Sequence, residues 1–309
     1  MVQAPAYKRF VGLGCYPGPA ETNPSLQERE DTYANGERIF DYQLTFQPVL
    51  ELEYGAVQQI AADGRIPILN LEFLVDGDPR PMLEPILAGE FDEQLEEFAQ
   101  EAAAGGIRFM IRTLHEFNGD WYPWGLLYDP DKIGVYANTR ANLSLAFRHV
   151  ISIFRENGAP VEFQLNINAQ NGLDDPRPFS AFWPGTLGLE SVAITSYNRA
   201  FSTPNHQYTE SFYDGFHGPY KQVAALTDLP IWVAETGTTS YGTDKPAWLM
   251  DMFTSLALDF PRVRQVTFFM LNKINENVLT DWDLNTEVDI NAFVQGVQLL
   301  RELTSGRKV

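Results

Sequence analysis

The sequence predicts an α/β protein, a (β/α)8 barrel that forms a single domain over residues 1–309. Three observations lead to this prediction. The chain has 309 residues, which is enough for one large barrel. It contains eight short apolar runs, and amphipathic segments lie between most of them. It has no short repeat and no low-complexity linker that would separate two domains.

The eight strand candidates are rich in Val, Ile, Phe and Thr, and most end at Asn, Glu, Tyr or Gly. Continuous apolar runs are typical of parallel strands that are buried on both faces. The runs are residues 9–16, 39–46, 65–73, 107–116, 161–168, 191–198, 229–237 and 263–272.

Helices are predicted between these strands. The segment 91–106 places apolar residues at 91, 95, 98 and 102, has acids in its first turn and ends at a Gly pair. Segments 134–158 and 246–260 follow the same pattern, and the link from 40 to 65 supplies a further helix. The long aromatic segment 199–222 is predicted to be an irregular loop after the sixth strand, at the face of the barrel where the strands end.

A doubly wound open sheet is the alternative fold. No G-x-G-x-x-G or Walker loop follows any of the strand candidates, so the phosphate-binding signature of that fold is missing. The barrel is therefore the favoured architecture.

Composition limits the partners of the protein. The chain carries 22 Lys and Arg against 41 Asp and Glu, a net charge of −19, which disfavours nucleic acid and anionic membranes. No apolar run reaches the ~18 residues that a membrane span needs, so we expect no membrane insertion. The first residues do not form a signal peptide, and we expect a secreted protein whose leader was removed, with a cytoplasmic protein as the alternative.

No cofactor and no metal site is predicted. The four histidines are scattered, whereas metal ligands come as close groups of His, Cys or carboxylate side chains. The one cysteine, Cys15, excludes an internal disulfide and is interpreted as a buried thiol.

Two glutamates stand out because they end strand candidates. Glu116 closes the fourth run and Glu235 lies near the end of the seventh. In a barrel, functional side chains project from the carboxyl ends of the strands. Two carboxylates on either side of a sugar linkage are what glycoside hydrolysis requires. Glu72, after the third run, shows that an acidic chain also places carboxylates there by chance.

Aromatic side chains follow several strand candidates as well. Indole and phenol rings stack on the apolar faces of sugars, and packing under long loops is the alternative for each of them. The residues are Trp121, Tyr122, Trp124, Tyr197, Tyr241 and Trp282. Core or structural positions are expected instead for Trp183, Trp232 and Trp248.

Four stretches resemble glycoside hydrolase family 26, a family of retaining (β/α)8 glycosidases. The stretch LHEFNGDWYPWG (114–125) is similar to its acid/base motif, and VAETG (233–237) to its nucleophile strand. The helix before the fourth strand and the stretch MLNKINENVLTDWDLNT (270–286) are similar to further parts of the family. The likeness covers roughly residues 10 to 300, and the first motif is its most specific part.

This resemblance implies roles for individual residues. Glu116 is expected to be the general acid/base and Glu235 the nucleophile, while His115 orients and polarises the site. Tyr197 is expected to donate a hydrogen bond to the nucleophile. Sugar stacking is expected of Trp121, Trp124 and Trp282. Asn168 is expected to contact a sugar or the acid/base loop, and Arg112 to form a structural ion pair or a substrate contact.

The resemblance implies a polysaccharide or oligosaccharide substrate and leaves its identity open. Many mannan-cleaving members have Trp-Phe-Trp-Trp where this chain reads Trp-Tyr-Pro-Trp at 121–124. We expect a monomeric retaining endo-β-glycanase that hydrolyses β-1,4 linkages in β-mannan or β-1,3-1,4-glucan, while β-1,3-xylan stays open. The alternatives are a carbohydrate-binding pseudoenzyme of the same fold and an intracellular glycosidase acting on short oligosaccharides.

Overall fold

The structure, a computed structural model, describes residues 10–185, 188–204, 206–275 and 278–305. Residue 9 of the first predicted strand, residue 205 of the segment 199–222 and residues 276–277 of the family-like stretch at 270–286 lie outside these ranges.

Eight strands form a closed barrel in chain order, which confirms the predicted (β/α)8 fold. The strands are β1 (Gly12–Tyr16), β2 (Tyr42–Pro48), β3 (Ile66–Glu72), β4 (Phe109–Thr113), β5 (Val161–Asn168), β6 (Ser191–Asn198), β7 (Ile231–Thr238) and β8 (Val263–Phe269). A two-stranded antiparallel hairpin follows the barrel and consists of β9 (Asn272–Asn275) and β10 (Val278–Asp281).

Helices alternate with the strands. They are α1 (Leu26–Ala34), α2 (Tyr54–Ala62), α3 (Leu83–Leu87), α4 (Asp92–Gly105), α5 (Arg140–Glu156), α6 (Phe212–Leu226), α7 (Lys245–Leu258) and α8 (Glu287–Ser305). Among the described residues, no helix is both long and apolar enough to cross a membrane.

Two predicted boundaries are wrong for local reasons. Helix α5 begins at Arg140 rather than at residue 134, because the Thr139 hydroxyl caps it by accepting a hydrogen bond from the amide of Asn142. The segment 199–222 is irregular only in its first part, because α6 starts at Phe212. The Ser211 hydroxyl accepts from the amide of Asp214, and the carboxylate of Asp214 accepts from that hydroxyl, which satisfies the first turn.

The described residues cluster into two compact units. One comprises those within Met1–Tyr42, Ser196–Lys221 and Pro230–Val309, and the other those within Gln43–Thr195 and Gln222–Leu229. We call them the β7 unit and the β4 unit, after the strands that carry Glu235 and lead to Glu116. The expectation of one domain over the whole chain stays a prediction.

Each unit has its own core. In the β7 unit, Phe253 of α7, Phe268 of β8 and Phe293 of α8 pack edge to face or tilted, with ring centroids 4.9–5.7 Å apart. In the β4 unit, Phe98 and Phe154 pack in the same manner at 6.2 Å. Aromatic burial of this kind supplies much of the apolar area that stabilises a fold.

The β4 unit also contains a buried polar layer. Nε of Arg112 donates to the side-chain oxygen of Gln164 at 2.9 Å, and the Gln164 amide nitrogen donates to Ser191 at 2.9 Å. All three side chains are buried. Since a buried polar group is costly unless it is hydrogen-bonded, these contacts fix the mutual positions of β4, β5 and β6.

Candidate active site

Glu116 lies just beyond β4, in a turn with an unusual backbone. The strand ends at Thr113, and both Leu114 and Glu116 have left-handed backbone conformations, with φ of 48° and 52°. Such conformations cost a non-glycine residue roughly 1–2 kcal/mol each. The amide of Glu116 donates to the carbonyl of Asn166 on β5 at 3.0 Å, and its carbonyl accepts from the amide of Gly119. The neighbouring strand therefore holds the carboxylate in this strained turn.

Trp121 contacts the carboxylate of Glu116 directly. Its indole Nε1 donates to Oε2 of Glu116 at 2.7 Å, although 43% of the side chain is exposed. Gly119 makes room for this ring, because a Cβ at that position would lie only 2.5 Å from the indole. Trp121 thus combines an exposed ring face, which can stack on a sugar, with a donor for the candidate acid.

Trp124 has a different environment, and the expectation that it stacks on sugar is wrong. The side chain is completely buried, its ring stacks on Tyr122 at a centroid distance of 4.6 Å, and Nε1 donates to the carbonyl of His115 at 2.7 Å. The loop closes tightly over it, since a Cβ at Gly125 would lie 2.4 Å from the carbonyl oxygen of Gly119. Trp124 therefore packs in the interior and supports the turn that carries Glu116.

His115 is a buried, neutral part of this packing. Its ring lies 4.5 Å from that of Tyr122, and among the described residues neither ring nitrogen makes a hydrogen bond. Nε2 is 3.6 Å from Oε1 of Glu72. Burial, assisted by the charge of Arg112, lowers the pKa of His115 to about 3. The imidazole is therefore uncharged at ordinary pH, and its expected role in orienting and polarising the site stays a prediction.

The loop after Glu116 is fastened to the end of β5 by Asn118. The side-chain oxygen of Asn118 accepts from the amide of Asn168 at 2.9 Å, and its amide group donates to the Asn168 carbonyl at 2.9 Å. Asn168 thus contacts the acid/base loop through its main chain. Asn118 lies inside the family-like motif. Nothing in its position along the sequence indicated that its side chain would bond the main chain of Asn168, as a neighbouring strand would.

Glu235 lies within β7, three residues before the strand ends at Thr238, and it is buried. The pairing of β7 with β8 is irregular at this point. Val233 pairs with Val266 and Thr236 with Phe268, so β7 has one extra residue over this interval. A bulge of this kind re-aims side chains and is common beside active sites.

Glu235 is held by Tyr197 in the β7 unit, and Trp282 supports Tyr197 in turn. The Tyr197 hydroxyl, one residue from the end of β6, donates to Oε2 of Glu235 at 3.0 Å. Trp282 packs on the Tyr197 ring with centroids 4.8 Å apart. A Cβ on Gly237 would lie 3.3 Å from the Trp282 indole, so the glycine two residues after Glu235 allows the ring to approach β7.

The burial of Trp282 contradicts the expectation that it stacks on a sugar. Only 5% of the side chain is exposed, because its ring packs against Tyr197.

Arg112 is completely buried and contacts Gln164, which favours the structural alternative over a substrate contact. Within the described residues, no group of three His, Cys, Asp or Glu side chains could hold a metal ion. Cys15 is buried, as predicted.

Sequence comparison identifies an endoglucanase as a relative. The chain is 30% identical over 199 residues to Endoglucanase H of Acetivibrio thermocellus. The match covers 64% of this chain and 21% of Endoglucanase H. The chain therefore spans about a fifth of the length of that protein. No protein-family model matches the chain.

Solved structures of β-mannanases share the architecture. A modular endo-β-1,4-mannanase of Cellulomonas fimi, from glycoside hydrolase family 26, superposes with a TM-score of 0.64 at 12% identity over 92% of this chain and 70% of that chain. The chain has the fold of these mannanases. The family 26 mannanase of Bacillus sp. JAMB-750 gives 0.64 at 13% identity over 94% and 86%. A termite-symbiont β-mannanase, complexed with a gluco-manno-oligosaccharide, gives 0.58 at 12% identity over 93% and 87%.

Proposed function

We propose that the protein is a retaining endo-β-glycanase in which Glu116 is the general acid/base and Glu235 the nucleophile. One observation carries the proposal: each of these buried carboxylates accepts a hydrogen bond from an aromatic side chain, Trp121 in one unit and Tyr197 in the other. An aromatic donor leaves the carboxylate oriented and partly desolvated, as an acid or a nucleophile in a sugar cleft must be. The similarity to Endoglucanase H and to β-mannanases supports the same reaction.

In the first step, a carboxylate oxygen of Glu235 attacks the anomeric carbon while the protonated Glu116 donates its proton to the departing glycosidic oxygen. The sugar passes through an oxocarbenium-like transition state and becomes covalently linked to Glu235. The Tyr197 hydroxyl donates a hydrogen bond to the attacking carboxylate and so fixes its direction.

In the second step, Glu116 accepts a proton from water, and the oxygen of that water attacks the anomeric carbon. The bond to Glu235 breaks, and the sugar is released with its original configuration. This mechanism requires the two carboxyl groups to be ~5–5.5 Å apart, whereas an inverting enzyme needs a wider gap.

The proposed substrate is a plant-type polysaccharide with β-1,4 linkages. The identity to Endoglucanase H is 30%, against 12–13% for the mannanases, so we place a β-glucan first and β-mannan second. The monomeric state and the secretion of the protein stay predictions.

The first test is a reducing-sugar screen over mixed-linkage glucan, galactomannan, β-1,3-xylan and carboxymethylcellulose. The proposal expects one of the first two to be hydrolysed, with retention in the first product, read by proton NMR. Absence of hydrolysis, or an inverted first product, contradicts it.

The second test separates the two carboxylates. Glu235→Ala should lose activity on every substrate. Glu116→Ala should still cleave an aryl glycoside with a good leaving group, accumulate the glycosyl-enzyme and regain turnover with azide as a β-configured adduct. Glu93→Ala, at an exposed position of α4, is the matched control and should behave as wild type. A β-azide adduct formed by the Glu235 variant would reverse the assignment.

A further inference from the structure

A buried lysine lies behind Trp282 in the β7 unit. Lys245, the first residue of α7, is 2% exposed. Its ammonium group donates to the carbonyl of Asp281 at 2.5 Å and to the carbonyl of Asp283 at 2.9 Å. These two carbonyls belong to the residues immediately before and after Trp282. One side chain thus fixes the main chain on both sides of that tryptophan.

Neither the helix nor the core explains a lysine at this position. A positive charge in the first turn of a helix opposes the helix macrodipole, and a buried ammonium loses its hydration. Burial lowers the pKa of Lys245, and the nearby carboxylates of Asp281, Asp289 and Asp283 act in the opposite direction. The cost of burying this charge is offset by its contacts with the residues on either side of Trp282, Asp281 and Asp283, and by the carboxylate of Asp289.

A second cation holds the same segment from another element. Arg29 of α1 makes a bidentate ion pair with the carboxylate of Asp283, at 2.7 and 3.0 Å, and it also donates to the carbonyl of Met270 at 3.0 Å. Lys245 of α7 therefore holds the main chain on both sides of Trp282, and Arg29 of α1 holds the side chain of the next residue, Asp283. The end of β10 and the residues just after it are thus tied to both α1 and α7.

The contacts continue from Trp282 to the candidate nucleophile. Trp282 packs on Tyr197 at 4.8 Å, and the Tyr197 hydroxyl donates to Glu235 at 3.0 Å. We propose that Lys245 is a positioning residue for Glu235, which it reaches by clamping the main chain around Trp282 and so fixing Tyr197 against the carboxylate. This inference rests on the proposed function, because it takes Glu235 as the nucleophile.

The first experiment measures the clamp without using activity. The indole N–H signal of Trp282 is assigned by its loss in Trp282→Phe and is then compared by ¹H–¹⁵N NMR in Lys245→Met and Lys221→Met. Lys221 is an exposed lysine of the same unit and serves as the matched control. We expect the Trp282 signal to shift or broaden only in Lys245→Met. An unchanged signal in that variant overturns the inference, whatever the activity of the protein.

The second experiment is a double-mutant cycle on the substrate that wild type hydrolyses best. Lys245→Met should lower kcat/KM about tenfold, which equals about 1.4 kcal/mol, and move the acidic limb of the pH–rate profile to higher pH. In the Tyr197→Phe background, the same change should lower kcat/KM by less than about twofold. The hydrogen bond through which Lys245 acts on Glu235 is already absent there. Equal losses in both backgrounds with an unmoved acidic limb would show a merely structural role and overturn the inference.

If Lys245→Met fails to fold, Lys245→Gln is used in its place. Its amide group can donate to one of the two carbonyls, so this variant should lose an intermediate amount of kcat/KM. If wild type hydrolyses none of the glycans, the proposed function fails while the NMR comparison still decides whether the clamp exists. If wild type is active and Glu235→Ala keeps that activity, the role of Glu235 fails, and the inference fails with it.

Discussion

The indole nitrogen of Trp121 donates a 2.7 Å hydrogen bond to Oε2 of Glu116, five residues earlier in the chain. The left-handed turn at Glu116 and the absence of a side chain at Gly119 bring the two groups together. A tryptophan that is partly exposed and also bonded to the candidate acid can connect sugar binding with proton transfer.

Trp121→Phe should separate these two functions, because phenylalanine keeps a ring and lacks the N–H donor. A hydrogen bond to a charged group contributes about 1.5–3 kcal/mol, so kcat/KM on polysaccharide should fall by roughly 10- to 100-fold. An aryl glycoside with a good leaving group needs little protonation and should be affected less. Trp121→Ala, which also removes the ring, is expected to raise KM further. Equal losses on both kinds of substrate would argue against a role in proton donation.

Trp124→Ala should destabilise the fold rather than weaken sugar binding, because the side chain is completely buried. Removing a large buried aromatic side chain costs about 3–5 kcal/mol of unfolding free energy. Urea denaturation followed by circular dichroism measures this cost. Trp121→Ala is the control from the same loop and should change stability much less. A stable Trp124→Ala protein with a raised KM would restore the stacking interpretation.

Tyr197→Phe should lower kcat with little change in melting temperature. The phenol stabilises the ionised form of Glu235, so without it the acidic limb of the pH–rate profile should move to higher pH. Tyr208→Phe changes a tyrosine of the same unit that is 45% exposed, and it should leave the profile unchanged. Full activity with an unmoved acidic limb would remove Tyr197 from the site.

His115 should make the stability of the protein depend on pH. Its pKa is lowered from 6.5 to about 3 in the folded chain, so between these values the unfolded chain binds a proton that the folded chain does not. This contribution is fully present above pH 6.5 and is lost as the pH falls towards 3. From pH 6.5 to 4 the loss amounts to about 3 kcal/mol.

The comparison that checks this uses His115→Phe, which keeps an aromatic ring and removes the titrating group. Its unfolding free energy should fall less steeply with acid than that of wild type over the same interval. His149→Phe changes a histidine that is only partly buried and pairs with Asp92 at 2.7 Å, and it serves as the control. Parallel curves for wild type and His115→Phe would contradict a depressed pKa.

Sequence reasoning anticipated the features that depend on local pattern. Continuous apolar runs located all eight barrel strands, and β5 and β6 match their predicted bounds. The same reasoning placed Glu116 and Glu235 at or near strand ends. The contact between Tyr197 and Glu235, which are hydrogen-bonded, was implied by the resemblance to glycoside hydrolase family 26 and not by the pattern. Periodicity and strand-end position are written in neighbouring residues, so they can be read without the fold.

Tertiary structure alone decided which aromatic residues are open to solvent. Trp121 and Trp124 lie three residues apart in one loop, yet one is 43% exposed and the other is completely buried. A loop with glycine and proline has no periodicity that separates an inner from an outer face. The choice depends on the hydrogen bond from Trp124 to the His115 carbonyl and on the close approach of Gly125 to Gly119.

The contacts that hold the segment around Trp282 could not be predicted from the sequence either, because their partners lie far apart in the chain. Lys245 meets its carbonyl partners 36 and 38 residues later in the chain, and Arg29 meets Asp283 over 254 residues. The sequence by itself determined a barrel with two glutamates at or near strand ends. Only the fold decided which distant cations hold the segment around Trp282, because such contacts form when helices pack and leave no spacing in the chain.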